Sequence, residues 1–106
     1  IYSEKGAAMT PFRELDPLLH SQLRLAIISV LISVDRADFS YLRDKTGATA
    51  GNLSVQIGKL KEAGYILVSK SFGDSYPQTM CSITELGRKK FEEYVSALGD
   101  YLKPGE

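Results

Sequence analysis

At 106 residues the chain has room for one domain around a single core. Its content of 43% hydrophobic and 25% charged residues is ordinary for a folded protein and excludes a disordered or fibrous chain. Thirteen basic residues balance thirteen acidic ones, so any attraction to nucleic acid has to come from local clusters of charge rather than from the net charge.

The first predicted element is a long apolar helix over residues 17–34. Asp16 and Pro17 are typical of a helix start, because aspartate caps the N-terminus and proline is favourable at the first helical position. The apolar residues that follow cover a wide face, which indicates a helix central to the fold. Its longest apolar stretch is about half of the roughly 20 residues that a membrane-spanning helix needs, so we expect no membrane contact. Residues 1–11 are expected to form an N-terminal arm.

Two further helices follow in close succession. Residues 39–47 predict a short helix ending at Gly47. Thr49 is an N-cap candidate for the next helix, over about 49–63, because its hydroxyl can accept the N–H of Asn52. On this helix Leu53, Ile57 and Leu60 share one face and should point into the core, which leaves small and polar residues on the outside.

A hairpin and a last helix complete the chain. Residues 65–72 and 79–84 are rich in β-branched and aromatic residues and are separated by turn-forming residues, so they predict two paired strands. The last helix is predicted over 85–102. Its apolar residues recur at spacings of four, three and four, which suits packing against a second copy of the chain. This proposed dimer seam consists of Phe91, Val95, Leu98 and Leu102.

The sequence contains no catalytic or metal-binding pattern. One histidine, His20, and one cysteine, Cys81, do not make a metal site, and no phosphate loop or paired nucleophile and base is present. We therefore expect a non-enzymatic protein without cofactors. The lone cysteine favours a reducing cytoplasm and predicts a small buried residue.

The order helix, short helix, helix, hairpin, helix corresponds to a winged helix-turn-helix, a mainly α fold with a small β-hairpin wing. Three segments carry a resemblance to the winged-helix DNA-binding domains of MarR/ArsR-like transcriptional regulators, in a small stand-alone form. They are "DPLLHSQLRLAIISVL" (16–31), "ADFSYLRDKTGATAGNLSVQIGKLKEAGYI" (37–66) and "SITELGRKKFEEY" (82–94). The likeness extends from about Leu15 to Leu102.

This resemblance implies a sequence-specific regulator that binds double-stranded DNA as a homodimer. Residues 12–106 would form the winged-helix domain, with 85–102 as its dimerisation helix. Helix 49–63 would enter the major groove, whose width of about 12 Å favours small or hydrogen-bonding outer residues. The candidate DNA-binding residues are Arg43, Lys45, Thr49, Asn52, Ser54, Val55, Gln56, Lys59 and Lys70.

Two departures from the family pattern keep an alternative open. Relatives often carry Arg or Lys at the position of Val55 and at the wing tip, whereas residues 73–79 here contain no basic residue. Val55 could contact a thymine methyl group, or it could belong to a surface that binds protein. The alternative is therefore a winged-helix protein interaction module. A small-molecule effector is unknown and would have to bind at the dimer interface or between the last helix and the core.

Overall fold

The computed structural model describes residues 12–72 and 77–103. The predicted arm, residues 1–11, and the wing tip, residues 73–76, lie outside the described part. The described elements in chain order are α1 (Gln22–Val34), β1 (Arg36–Asp38), α2 (Phe39–Thr46), α3 (Ala50–Glu62), β2 (Ile66–Phe72), β3 (Pro77–Ile83) and α4 (Glu85–Leu102). The predicted mainly α fold with a hairpin wing is confirmed. Among these helices, none is both long enough and apolar enough to cross a bilayer.

Helix α1 begins later than the sequence predicts, at Gln22 instead of residue 17. The Asp16 carboxylate does cap a turn, because it accepts the backbone N–H of Leu18 at 2.9 Å. The turn is not continued, since Ser21 is extended with φ −151° and ψ 128°. The Asp16–Pro17 pair therefore starts a separate turn ahead of the helix.

Strand β1 is an element that the sequence did not predict. Residues 36–38, between the first two predicted helices, pair antiparallel with β3, with Ala37 opposite Cys81. The sheet order is β1-β3-β2, so the predicted hairpin gains a third strand. The chain enters β1 through Asp35, whose positive φ of 70° ends α1. This strand exists because of its distant partner and not because of a local pattern.

The core lies where the helices meet the inner face of the sheet. Its fully buried large side chains come from α1, α2, α3, the sheet and the segment before α1; they are Leu19, Ile27, Ile28, Leu31, Leu42, Leu53, Leu60, Ile66 and Cys81. Burial raises the pKa of the Cys81 thiol to about 11. The interpretation of Cys81 as a small buried residue is confirmed.

The start of α4 is fixed against the turn between α3 and β2. The Thr84 hydroxyl accepts the N–H of Gly87 at 2.9 Å as an N-cap, and it donates to the carbonyl oxygens of Gly64 and Tyr65. Gly87 is buried so closely against this turn that an added Cβ would overlap the Tyr65 carbonyl and lie 2.9 Å from Cδ1 of Ile83. A residue without a side chain is required here.

We predict that Gly87→Ala lowers the free energy of unfolding by about 1–3 kcal/mol, because the new methyl group meets backbone that cannot move aside cheaply. Urea denaturation followed by circular dichroism measures this change. The matched control is Gly58→Ala in α3, where an added Cβ meets nothing within 4 Å. That variant should be more stable by about 1 kcal/mol, the difference in helix propensity. Equal effects of the two substitutions would contradict the proposed close contact.

Candidate nucleic-acid interface

The turn between α2 and α3 is built by two capping residues. Gly47 ends α2 in the left-handed region, with φ 71°, and its N–H donates to the carbonyl of Arg43 at 2.9 Å. Two residues later, the Thr49 hydroxyl accepts the N–H of Asn52 at 3.2 Å. Both caps were predicted and are confirmed. They set the angle at which α3 leaves α2.

Helix α3 has one face in the core and one on the surface. Leu53, Ile57 and Leu60 are buried as predicted. Because successive helical residues are about 100° apart, the positions of Asn52, Val55, Gln56 and Lys59 fall within one sector of about 100° on the other side. Val55 is 54% exposed at one edge of this sector, and Gln56 lies at the other edge. We call these four residues the outer face of α3.

Ser54 does not share this outer face. Helical geometry places it about 160° around α3 from Gln56, on the flank that also carries Lys61. Ser54 is exposed there, so it is accessible to solvent without facing the same direction as Asn52. The structure thus brings together four of the predicted α3 residues and separates the fifth.

A chain of hydrogen bonds connects the outer face to α1. Arg24 Nη1 donates to Oε1 of Gln56 at 2.5 Å, and Nε2 of Gln56 donates to Oδ1 of Asn52 at 3.0 Å. A further bond, from Arg24 Nε to the Leu18 carbonyl at 2.6 Å, holds the guanidinium. The sequence reasoning missed Arg24. The available signal was that Arg24 is the sole charged residue of an otherwise apolar helix.

Positive charge is concentrated at the ends of α2 and α3. Arg43 and Lys45 lie in the last turn of α2, where the helix dipole favours cations, and both are exposed. Lys59 and Lys61 occupy the last turn of α3 and are exposed as well. No carboxylate of the described residues lies within salt-bridge distance of these four cations.

Lys70 is the basic candidate of the wing. It is exposed on β2 and pairs in register with Thr79 on β3. The tip that follows is outside the described residues, so the structure places Lys70 at the described end of the wing. It is carried by a different element from the α2 and α3 cations.

The predicted dimer seam of α4 is divided between the protomer's own core and its surface. Phe91 and Leu98 are half-buried and pack against the core. Val95 is 49% exposed and Leu102 is 71% exposed. Only the last two are free apolar groups of the kind that a second copy could cover.

Residues 12 and 13 lie along the same helix. Arg13 Nε donates to Oδ2 of Asp100 at 2.8 Å, and the Tyr101 hydroxyl donates to the Arg13 carbonyl at 2.8 Å. The hydrogen bonds from the Arg13 side chain and backbone N–H hold the pKa of the Asp100 carboxyl below its usual range. The Phe12 and Tyr101 rings are 5.2 Å apart, so the start of the described chain extends the apolar surface of α4.

A cavity of about 320 Å³ lies between the last helix and the core, one of the two places where the sequence analysis put a possible effector. The Tyr65 hydroxyl donates to Asp16 there at 2.5 Å, and burial raises the pKa of Tyr65 above its usual value. Glu14 and Glu93 add two more carboxylates to the lining. Lys90 also lines the cavity and lies 3.7 Å from Glu93, so three carboxylates face one cation and the lining suits a hydrogen-bonding or cationic ligand better than an anion.

Comparison with known proteins gives consistent matches. The family model of the winged helix DNA-binding domain matches residues 23–102. An uncharacterized protein of Methanocaldococcus jannaschii is 32% identical over 78 residues, which cover 74% of this chain and 85% of that protein.

Solved structures show the same fold. The transcriptional regulator homologue protein from Pyrococcus horikoshii OT3 has a TM-score of 0.75 and 28% identity, covering 80% of this chain and 84% of that chain. A mutant of MarR from E. coli, solved in complex with operator DNA, has a TM-score of 0.66 and 16% identity, covering 82% of this chain and 67% of that chain. At 16% identity, the similarity to MarR shows a common fold alone.

We predict that Thr49→Ala lowers the free energy of unfolding by about 1 kcal/mol, because the N–H of Asn52 loses its acceptor. Chemical denaturation measures the change. Thr49→Ser keeps a hydroxyl at the cap and is the matched control, with an expected loss well below that of the alanine variant. If both variants lost the same stability, the cap would not be the cause.

Proposed function

Since this chain belongs to the family of winged-helix DNA-binding domains, we propose that it is a cytoplasmic, non-enzymatic transcriptional regulator of the MarR-like type that binds specific DNA sequences as a homodimer. The observation that carries the proposal is the outer face of α3. Its opposite face is fixed in the core through Leu53, Ile57 and Leu60, so the groups offered to a groove are held on a rigid element. Rigid presentation is what base recognition requires.

Helix α3 enters the major groove in this proposal. Asn52 supplies an amide group for base edges, Gln56 is the candidate that holds this amide by a hydrogen bond, and Val55 supplies a methyl surface suited to thymine. Thr49 and Ser54 lie at the start and on the flank of the helix, where hydroxyl groups commonly contact phosphate. Small side chains in the first turns, including Gly51, allow close approach of the backbone.

Cations on three elements contact the phosphates. Arg43 and Lys45 end the helix that crosses the DNA backbone, and Lys59 lies at the end of α3 on the outer face. Lys70 brings the wing to the neighbouring backbone. Because these charges are local, they are available for phosphate contacts although the net charge of the chain is zero.

Dimerisation uses α4 in this proposal. Val95 and Leu102 form the exposed part of the seam, Phe91 and Leu98 support it from the core side, and the segment at Phe12 and Arg13 extends it. A two-fold axis through α4 places two copies of α3 in successive major grooves. The half-sites are then about one helical turn, roughly 34 Å, apart.

A second candidate function rests on exposed apolar side chains. Val55 on α3 and Leu67 on the wing are 54% and 64% exposed, on elements that the first proposal assigns to DNA. A winged-helix module that binds a protein partner would use such groups. DNA affinity and the effect of Val55→Arg on binding distinguish a DNA-binding regulator from a protein interaction module.

We expect the chain to bind duplex fragments from its own upstream region far more tightly than random DNA, by roughly 10³-fold or more at physiological salt. Fluorescence anisotropy across a salt series measures both affinities. Lys59→Met should weaken binding to every sequence and reduce the slope of log K against log salt by about one, because one phosphate contact is lost.

Lys103→Met is the control for loss of a charge, since Lys103 ends α4 away from the outer face and should leave affinity and slope unchanged. Val55→Arg should tighten binding to all DNA. No measurable binding of the wild-type chain at low salt, together with a stable protein partner that Val55→Arg releases, would favour the interaction module.

We predict that Val95→Asp converts a dimer at micromolar concentration into a monomer, because burial of a carboxylate against a second copy is unfavourable. Light scattering measures the mass. Val95 is a better probe than Leu98, whose half-buried side chain also supports the protomer's own core. The matched control is Lys89→Asp, on the opposite side of the same helix, which should remain dimeric. A monomeric wild-type chain would contradict the seam as an interface.

A further inference from the structure

In the hydrogen-bond chain from Arg24 through Gln56 to Asn52, the donor and the acceptor of each bond are fixed by the chemistry of the three side chains. Building on the proposed function, we infer that Arg24 is a positioning residue for base recognition. Through Gln56 it turns the Asn52 amide so that its NH₂ group faces the DNA. The base that Asn52 contacts must then offer hydrogen-bond acceptors, and guanine offers two.

The argument begins at the guanidinium, which carries only donors. The Gln56 atom facing Arg24 must therefore be the acceptor Oε1, and the bond is 2.5 Å long. The other end of the Gln56 amide, Nε2, can then only donate. The Asn52 atom that lies 3.0 Å from it must be Oδ1. An isolated amide can be turned either way, but a chain that starts from a donor-only group cannot.

Arg24 is itself held in place. Its Nε donates to the Leu18 carbonyl at 2.6 Å, and its side chain is half-buried between α1 and α3. Gln56 is half-buried and Asn52 is exposed. The hydrogen bonds thus connect a fixed guanidinium, that of Arg24, to an exposed amide, that of Asn52. Arg24 acts on DNA through the two amides and does not need to touch it.

The exposed end of these hydrogen bonds, the Asn52 amide, determines which bases can be recognised. Asn52 Oδ1 has one acceptor position occupied by Gln56, while the two N–H groups of Nδ2 remain available. Guanine presents N7 and O6, two adjacent acceptors, in the major groove. An amide side chain usually contacts adenine by donating one hydrogen bond and accepting another. Because Gln56 already donates to Asn52 Oδ1, the accepting half of this contact is weakened. Guanine is the expected partner, and cytosine, which presents an amino donor, is disfavoured.

The test is selection of binding sites from a randomised duplex library, followed by affinity measurements on single-base variants of the selected site. For the wild-type chain we expect one position in each half-site to favour guanine over adenine by roughly tenfold. Arg24→Met keeps the length of the side chain but removes every donor. It should reduce that preference to about twofold while leaving the other positions as they were.

Gln56→Glu tests whether the donor and acceptor roles along Arg24, Gln56 and Asn52 determine the base preference. A carboxylate still accepts from Arg24, but it now offers an acceptor to Asn52 as well. Asn52 should then turn its NH₂ toward Glu and its oxygen toward the DNA, and the preference should move to a base with an amino donor, adenine or cytosine. Affinity falls for all sequences because a negative charge is added. The preference at this position is therefore the measurement that decides.

Lys59→Met provides the control, with weaker binding to all sequences and an unchanged preference for guanine. A purely structural role for Arg24 would lower stability and leave base preference as in the wild type, which would overturn the inference. If Arg24→Met does not fold, Gln56→Glu decides alone, and retention of guanine by that variant would overturn the inference too.

Failure of the proposed function has a different signature. A wild-type chain that enriches no sequence overturns sequence-specific binding, and the role of Arg24 in recognition with it. The side-chain amide resonances of Asn52 and Gln56 in the free protein then show whether the network itself exists. Both should shift in Arg24→Met and neither in Lys59→Met; no shift in Arg24→Met would overturn the network.

Discussion

One buried residue, Tyr65, joins the elements on which the site depends. Its N–H donates to the Leu60 carbonyl at 3.0 Å and ends α3, and its own carbonyl accepts both the hydroxyl and the N–H of Thr84 at the start of α4. Its hydroxyl donates to Asp16 ahead of α1. Gly87 is required because α4 begins in contact with this carbonyl. This junction sets the angle between α3 and α4, so in the proposed dimer the spacing of the two copies of α3 depends on it.

Local signals in the sequence predicted most of the elements around this junction. A cap bonds within three or four residues of itself, so Gly47 and Thr49 could be assigned without knowledge of the fold. The inner face of α3 was predictable for the same reason, since Leu53, Ile57 and Leu60 repeat with the period of a helix. The outer face followed from it by exclusion. Ser54 was grouped with Asn52 and Gln56 by its chemistry, although helical geometry places it on another flank.

What the sequence did not predict depends on partners far along the chain. Strand β1 forms because Ala37 meets Cys81, and nothing within residues 36–38 indicates it. Asp16 and Pro17 resemble a helix start, but the carboxylate that caps Leu18 also accepts from Tyr65, 49 residues away, in a turn that precedes α1. Arg24 became part of the candidate site only when α1 was packed beside α3. A charged residue within an apolar helix was visible, but the amide that it meets was not.

Under the proposed function, the distribution of charge and hydrogen bonds in this domain favours selectivity for particular DNA sequences over strength of binding to all of them. Each phosphate contact adds affinity for every DNA sequence, whereas an oriented amide adds affinity for some bases only. The chain has zero net charge and few cations near α3, so the proposal implies modest attraction to arbitrary DNA. The hydrogen bonds from Arg24 through Gln56 to Asn52 stabilise one orientation of the Asn52 amide, the group that the proposal assigns to base contact. Specificity is the ratio of the affinity for the specific site to the affinity for other DNA. It rises when the affinity for other DNA is small and when the group that contacts the base is already oriented.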